Sequence, residues 1–187
     1  MRALQLTGAF KKDSLANLQV QLPALVIGGG LTGIDTATEL FAYYPVQVEK
    51  VLSRHERLLT VSSEKAILAK LDDEEKKTYL TFLEHGRAIR AERERARAAG
   101  EEPHFIKLVR AWGGVALCYR RAMTESPAYR LNHEEVAKAL EEGIRFIEHV
   151  SPVEAIADET GAVKAMKFER MTIVDGKLKG AGQYHEI

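Results

Sequence analysis

The sequence predicts an α/β chain: a parallel sheet, a C-terminal β-meander hairpin and a mostly helical insertion. Three observations predict it. An apolar run at 22–27 is followed at once by Gly28-Gly29-Gly30 and then by apolar residues at helical spacing. Two more short apolar runs, at 115–119 and 144–150, flank a segment with helix start and stop signals. Between the first two runs the chain changes character, and 62–110 carries 11 basic and 10 acidic side chains.

The mixed segment 1–21 has no strong period and reads as an approach segment. The run at 22–27 is a buried strand, broken only by Pro23, a residue suited to a strand's first position. Ile34, Ala37, Thr38 and Phe41 recur at helical spacing over 31–44, and Pro45 is expected to interrupt that helix. Val48, Val51, Leu52, Leu58 and Leu59 fit one face of a further helix that Pro45 would open. Residues 46–52 also read as a strand, since Val46 and Val48 alternate. Ile67, Leu68 and Leu71 form one stripe, and Tyr79, Phe82, Leu83 and Ile89 another. Residues 91–99 favour helix, ended by Gly100 and Pro103; 105–112 is a last short helix closed by Gly113-Gly114. The charge run reads as a solvated face.

Residues 115–119 form a short strand ended by Arg120-Arg121, and a loop containing Pro127 follows. Asn132 is an N-cap with Glu135 in capping-box position, and Gly143 stops that helix. The strand 144–150 comes next. Residues 153–157 and 163–170 flank Asp158-Glu159-Thr160-Gly161 as a hairpin, with another turn at Asp175-Gly176.

The chemistry lies in Gly28-x-Gly30-x-x-Gly33, placed between a strand and a helix, as a dinucleotide fingerprint requires. Gly28 permits the tight turn, Gly30 lets the backbone approach a pyrophosphate, and Gly33 lets helix and strand pack closely. The helix N-terminus offers N–H groups to phosphate, and Thr32 adds a hydroxyl. Asp35 reads as a carboxylate complementing the helix dipole. This makes the parallel sheet Rossmann-like. The ribose-binding acid expected about 20 residues on falls in 50–57, read as helix, so the simple spacing fails. The strand ending at Tyr119-Arg120-Arg121 is the better second strand. Arginines there favour a 2′-phosphate through charge-assisted bonds of about 1.5–3 kcal/mol each, and so NADP(H) over NAD(H). Tyr119 is placed to flank the adenine. An ordinary surface arginine pair and a packing glycine turn are the other readings.

The stretch 26–35, Val-Ile-Gly-Gly-Gly-Leu-Thr-Gly-Ile-Asp, resembles the NADPH-binding motif of the glutamate synthase small-subunit family, shared by dihydropyrimidine dehydrogenase and other flavoproteins of the pyridine nucleotide-disulfide oxidoreductase type. Residues 118–128, Cys-Tyr-Arg-Arg-Ala-Met-Thr-Glu-Ser-Pro-Ala, are similar to its tyrosine-arginine-arginine segment, and 141–146 and 153–170 to its next helix, strand and hairpin. The resemblance implies that Gly28, Gly29, Gly30, Leu31, Thr32 and Gly33 meet the pyrophosphate. It implies that Arg120 and Arg121 hold the 2′-phosphate beside Tyr119. None of these is a catalytic residue. The implied cofactor is NADP(H), with FAD held by the parent protein rather than by this chain. The family's flavin half and cysteine clusters have no counterpart here, and 45–114 replaces a short connection.

The expected organisation is an NADP(H)-binding domain at 22–180, interrupted by the insertion 45–114. It would be a piece of a larger, cytoplasmic, flavin-dependent oxidoreductase whose FAD-binding domain lies elsewhere in the same protein. The alternative is a degenerate dinucleotide fold whose insertion docks a partner subunit through Tyr79, Phe82, Leu83 and Trp112. Composition narrows the other classes. The 27 basic and 27 acidic side chains argue against a general nucleic-acid or membrane-surface binder. One cysteine, Cys118, excludes a disulfide scaffold, and six histidines without metal-ligand spacing give no metal site. No apolar run approaches a membrane span.

Overall fold

The structure, a computed structural model, describes residues 8–11, 14, 16 and 18–187. The approach segment 1–21 therefore lies partly outside the described residues. The chain is mixed α/β, with helices, a three-stranded parallel sheet and a three-stranded antiparallel sheet. It divides into two compact units, one of residues 1–23 and 39–114, the other of residues 24–38 and 115–187. The boundary at 38/39 falls earlier than the expected insertion start at Pro45.

The second unit holds both sheets. β1 (Ala24–Ile27), β2 (Val115–Cys118) and β3 (Arg145–Ile147) run parallel in that order. Their register sets Ala24 opposite Val115 and Ala116 opposite Arg145. β2, the central strand, is buried along its whole length, as a strand covered on both faces must be. β4 (Val150–Ala157), β5 (Val163–Val174) and β6 (Lys177–Glu186) form the antiparallel sheet. Cys118, Val150 and Phe168 make a small core with Leu25, Ile147 and Met166.

Two expectations about this unit are corrected. The single strand expected at 144–150 is two strands. Between them His149 takes φ +57°, and Val150 leaves the parallel ladder to pair with Arg170. The loop around Pro127 is partly helical. A 3₁₀ turn over Met123–Glu125 precedes α5 (Pro127–Leu131), which Ser126 caps and Pro127 opens at its first position. α6 (His133–Glu141) starts as expected, with the Asn132 side chain accepting the Glu135 N–H at 3.4 Å.

The largest correction concerns Pro45. α1 (Leu31–Leu59) runs straight through it as one helix, so neither a break at Pro45 nor a strand at 46–52 forms. An interior proline costs about 3 kcal/mol. Each large side chain buried on the flanking turns returns about 1.5–3 kcal/mol. Tyr43, Tyr44, Val48 and Leu52 are all buried there. Leu58 and Leu59, assigned to the same face, are exposed at 46% and 42%. The polar residues of this stretch are buried with partners. Gln47 bonds both the N–H and the carbonyl of Val20, at 2.7 and 2.8 Å. Lys50 Nζ donates to the carbonyls of Ala9 and Ala16 at 2.7 and 2.9 Å.

The rest of the first unit is helical. α2 (Glu64–Leu68) buries nothing, whereas α3 (Asp73–Ala99) buries Phe82, Leu83, Gly86, Ile89 and Ala96. Gly86 lies against α1, where a Cβ would stand 2.6 Å from the Val48 carbonyl oxygen. Arg90 pairs with Glu56 and Arg93 with Glu49, both bidentate. Exposed pairs of this kind contribute about 0.2–1 kcal/mol. α4 (Phe105–Ala111) follows, and Trp112 stacks on His85, ring centroids 3.8 Å apart. Pro23 lies beside Gly113, whose Cβ, if present, would meet the proline Cβ at 2.9 Å. Two of the partner anchors expected from sequence, Phe82 and Leu83, are 5% and 1% exposed. They fill this unit's own core and are unavailable for docking.

α3 begins with a full capping box: Glu75 N–H donates to Asp72 Oδ1 at 2.8 Å, and Asp72 N–H to Glu75 Oε2 at 3.0 Å. Asp72→Ala is expected to lower stability by about 1 kcal/mol, read as a shifted urea midpoint at unchanged slope. An unshifted midpoint would mean that the cap contributes nothing.

Candidate functional site

Every sequence-predicted site residue lies in the second unit, at the carboxyl ends of the parallel neighbours β1 and β2. Gly28 follows β1 and its N–H donates to the Cys118 carbonyl at 3.0 Å, which extends the ladder by one bond. Its φ of +134° is open to glycine and strained for any other residue. The chain then turns into α1, whose first bonds run from Gly33 and Ile34 N–H to the Gly30 carbonyl, at 2.9 and 3.2 Å. The N–H groups of the first helical turn have no intrahelical acceptor, so Leu31 and Thr32 present donors.

The three fingerprint glycines meet different surroundings. A Cβ on Gly33 would stand 2.7 Å from the Gly28 carbonyl oxygen and 3.5 Å from Leu117 Cδ1. That is the close helix–strand approach expected of it. A Cβ on Gly30 would meet nothing within 4 Å, so this side of the turn is open. A Cβ on Gly29 would lie 2.7–2.9 Å from the ring of Tyr119, which packs over the turn.

That contact bears on the role expected of Tyr119. Its ring lies against Gly29 and meets Phe146 edge-on at 6.5 Å. Its backbone is also engaged, with its N–H donating to the Ile147 carbonyl and its own carbonyl accepting from Val150 N–H. Arg120 is exposed, and no carboxylate pairs with it among the described residues. Arg121 Nη1 donates to Glu125 Oε1 at 3.1 Å. The Ala122 N–H and the Arg121 guanidinium hold the Glu125 carboxyl below the usual carboxylate range. The segment carrying these residues is tied to the turn by Ala128 N–H, which donates to the Gly29 carbonyl at 2.9 Å.

The donor set fits a dinucleotide phosphate. The turn is open at Gly30, the helix start presents N–H donors, and Arg120, at the end of the neighbouring strand, has no carboxylate partner among the described residues. Cys118 is buried one residue before Tyr119, and burial pushes its thiol up to about 11, the state of an inert thiol. Among the described residues no group of three histidine, cysteine or carboxylate side chains could hold a metal.

A cleft of about 540 Å³ opens beside this site, lined by Arg121, Glu125, His149, Arg170 and Thr172 among others. His149 and Arg170 carry no motif in the sequence. They reach Arg121 through backbone pairing: Val150 lies opposite Arg170, and His149 N–H donates to the Arg121 carbonyl at 3.4 Å. Only the strand register brings them there.

No family model matches the chain. Over 175 residues, 94% of the chain, it is 31% identical to a Rickettsia prowazekii (strain Madrid E) protein named "Uncharacterized protein RP006". The matched stretch spans 22% of that protein's length. No helix among the described residues is long and apolar enough to cross a membrane.

Proposed function

We propose that the chain is the NADP(H)-binding part of a flavin-dependent oxidoreductase, with a Rossmann-like sheet presenting the dinucleotide and the antiparallel sheet completing that domain. One observation carries the reading: the glycine turn and the arginine pair stand at the carboxyl ends of hydrogen-bonded parallel strands. Open parallel sheets bind ligands at that edge. The tight Gly33 approach and the open space at Gly30 support it further.

In this reading the N–H groups of Leu31 and Thr32 bind the pyrophosphate, aided by the positive end of α1. Arg120 and Arg121 bind the 2′-phosphate, and Arg121 exchanges Glu125 for the phosphate when it does so. Tyr119 holds the turn in shape from behind. The bound cofactor supplies a hydride for a flavin held elsewhere in the parent protein, and this chain supplies orientation.

Calorimetric titration tests the reading. NADPH should bind about ten-fold or more tightly than NADH, a margin typical of charge-assisted contacts, and Arg120→Ala with Arg121→Ala should make the two equal. Equal affinity in the unaltered protein, or no binding of either, would overturn the assignment.

A further inference from the structure

The arginine pair at the end of β2 leaves part of its surroundings unexplained. The cleft beside it is walled on its far side by the antiparallel sheet. Arg170 and Thr172 come from β5, and His149 from the turn that leads into β4. A register shift between Glu169 and Met171 interrupts the alternation of β5 at Arg170, and Arg170 and Thr172 line the cleft whereas Glu169 does not. Glu169 instead accepts the Gly182 N–H at 3.1 Å.

The charges in the cleft do not cancel. Its lining holds two guanidinium groups, Arg121 and Arg170, and one carboxylate, Glu125. That carboxylate is already committed to Arg121 and to the Ala122 N–H. Arg170 has no carboxylate partner among the described residues. Its backbone, by contrast, is fixed. It pairs with Val150, and the next residue, Met171, donates its N–H to the His149 carbonyl at 2.8 Å. The cleft lining thus holds an uncompensated guanidinium, Arg170, whose backbone is paired, together with a second, Arg121. The His149 ring, the Thr172 hydroxyl and the Gln183 amide add hydrogen-bonding groups. Guanidinium forks bind phosphate oxygens bidentately, and two of them against one committed carboxylate suit a dianion by charge.

We propose that this cleft is a phosphomonoester pocket in which Arg170, from the antiparallel sheet, works with Arg121 as the second cationic wall. The proposal rests on the dinucleotide reading for the source of the group, the 2′-phosphate, but seats it on Arg121 and Arg170, since Arg120 lies outside the cleft lining, and so makes Arg170 a specificity-determining residue. It also gives the antiparallel sheet a direct part in cofactor selection.

The test uses the full chain, titrated calorimetrically with 2′,5′-ADP and with 5′-AMP. The variants are Arg170→Ala, Arg121→Ala and Lys164→Ala. Lys164 lies near the start of β5, outside the cleft lining, and controls for net charge. The unaltered chain should prefer 2′,5′-ADP by about ten-fold or more. Arg170→Ala should lose most of that preference and keep its 5′-AMP affinity, and Lys164→Ala should keep both. If Arg170→Ala keeps the preference while Arg121→Ala loses it, the pocket is overturned and the dinucleotide reading stands. Equal losses in Arg170→Ala and Lys164→Ala would reduce the effect to net charge and also overturn it. If neither nucleotide binds, the dinucleotide reading fails and inorganic phosphate decides the pocket. Movement of the Arg121 and Arg170 Nε–H signals in NMR, with phosphate against chloride at equal ionic strength, would then support it. Unmoved signals would overturn it.

Discussion

Gly33→Ala is expected to destabilise the second unit by about 3 kcal/mol and to remove nucleotide binding with it. An ordinary Gly→Ala exchange inside a helix is favourable by about 1 kcal/mol, because alanine loses less backbone entropy. Here the added methyl would stand 2.7 Å from the Gly28 carbonyl oxygen, an atom of the backbone. That oxygen cannot rotate away. Relief requires the start of α1 to lift off β1, or the turn at Gly28 to open, and either change disturbs the turn to which the proposed function assigns the phosphates. Gly29→Ala makes a useful contrast. The atoms nearest to its methyl would be those of the Tyr119 ring, at 2.7–2.9 Å. A half-buried ring can swing aside, so a smaller loss of about 1 kcal/mol is expected. Native-state amide exchange along β1 and β2 reads both effects locally. If Gly33→Ala leaves that protection unchanged, α1 can shift at little cost, and the close-packing role of this glycine is wrong.

Gly86→Ala is the corresponding expectation for the first unit, a loss of about 2–3 kcal/mol. Gly86 sits mid-helix in α3, where its Cβ would lie 2.6 Å from the Val48 carbonyl oxygen and 3.0 Å from Leu52 Cβ. The two helices approach backbone to backbone at this point. Trimming Leu52 would not relieve the clash, since the nearer atom is main chain. The indole of Trp112, stacked on His85, the residue next to Gly86 in α3, reports the event. Its fluorescence transition in urea should move to lower concentration in Gly86→Ala. An unmoved transition would show that α3 can slide along α1.

Much of the second unit was legible because its signals are local. A strand, a glycine turn and a helix follow each other within residues 24–38. Asn132 and Glu135 announce α6 in four residues. What could not be read is non-local. Pro45 is a helix breaker by propensity, and only the burial of Tyr43, Tyr44, Val48 and Leu52 outweighs it. The stripe at Phe82 and Leu83 looks the same in sequence whether it faces a partner or its own core. His149 and Arg170 stand 28 and 49 residues beyond Arg121 in the chain, and no spacing rule links them. The register of β4 with β5 brings them to the cleft.

The contact between Pro23 and Gly113 has a kinetic consequence. β1 and β2 are hydrogen-bonded neighbours, yet their paired residues lie about ninety positions apart in the chain, a separation that makes parallel pairing slow. Pro23 immediately precedes Ala24, and Gly113-Gly114 immediately precede Val115. Both ends belong to the first unit, which holds Pro23 against Gly113 through its own packing. If the helices assemble first, the contact of Pro23 with Gly113 brings the starts of β1 and β2 together, and little of that long loop closure is left for the strands to make.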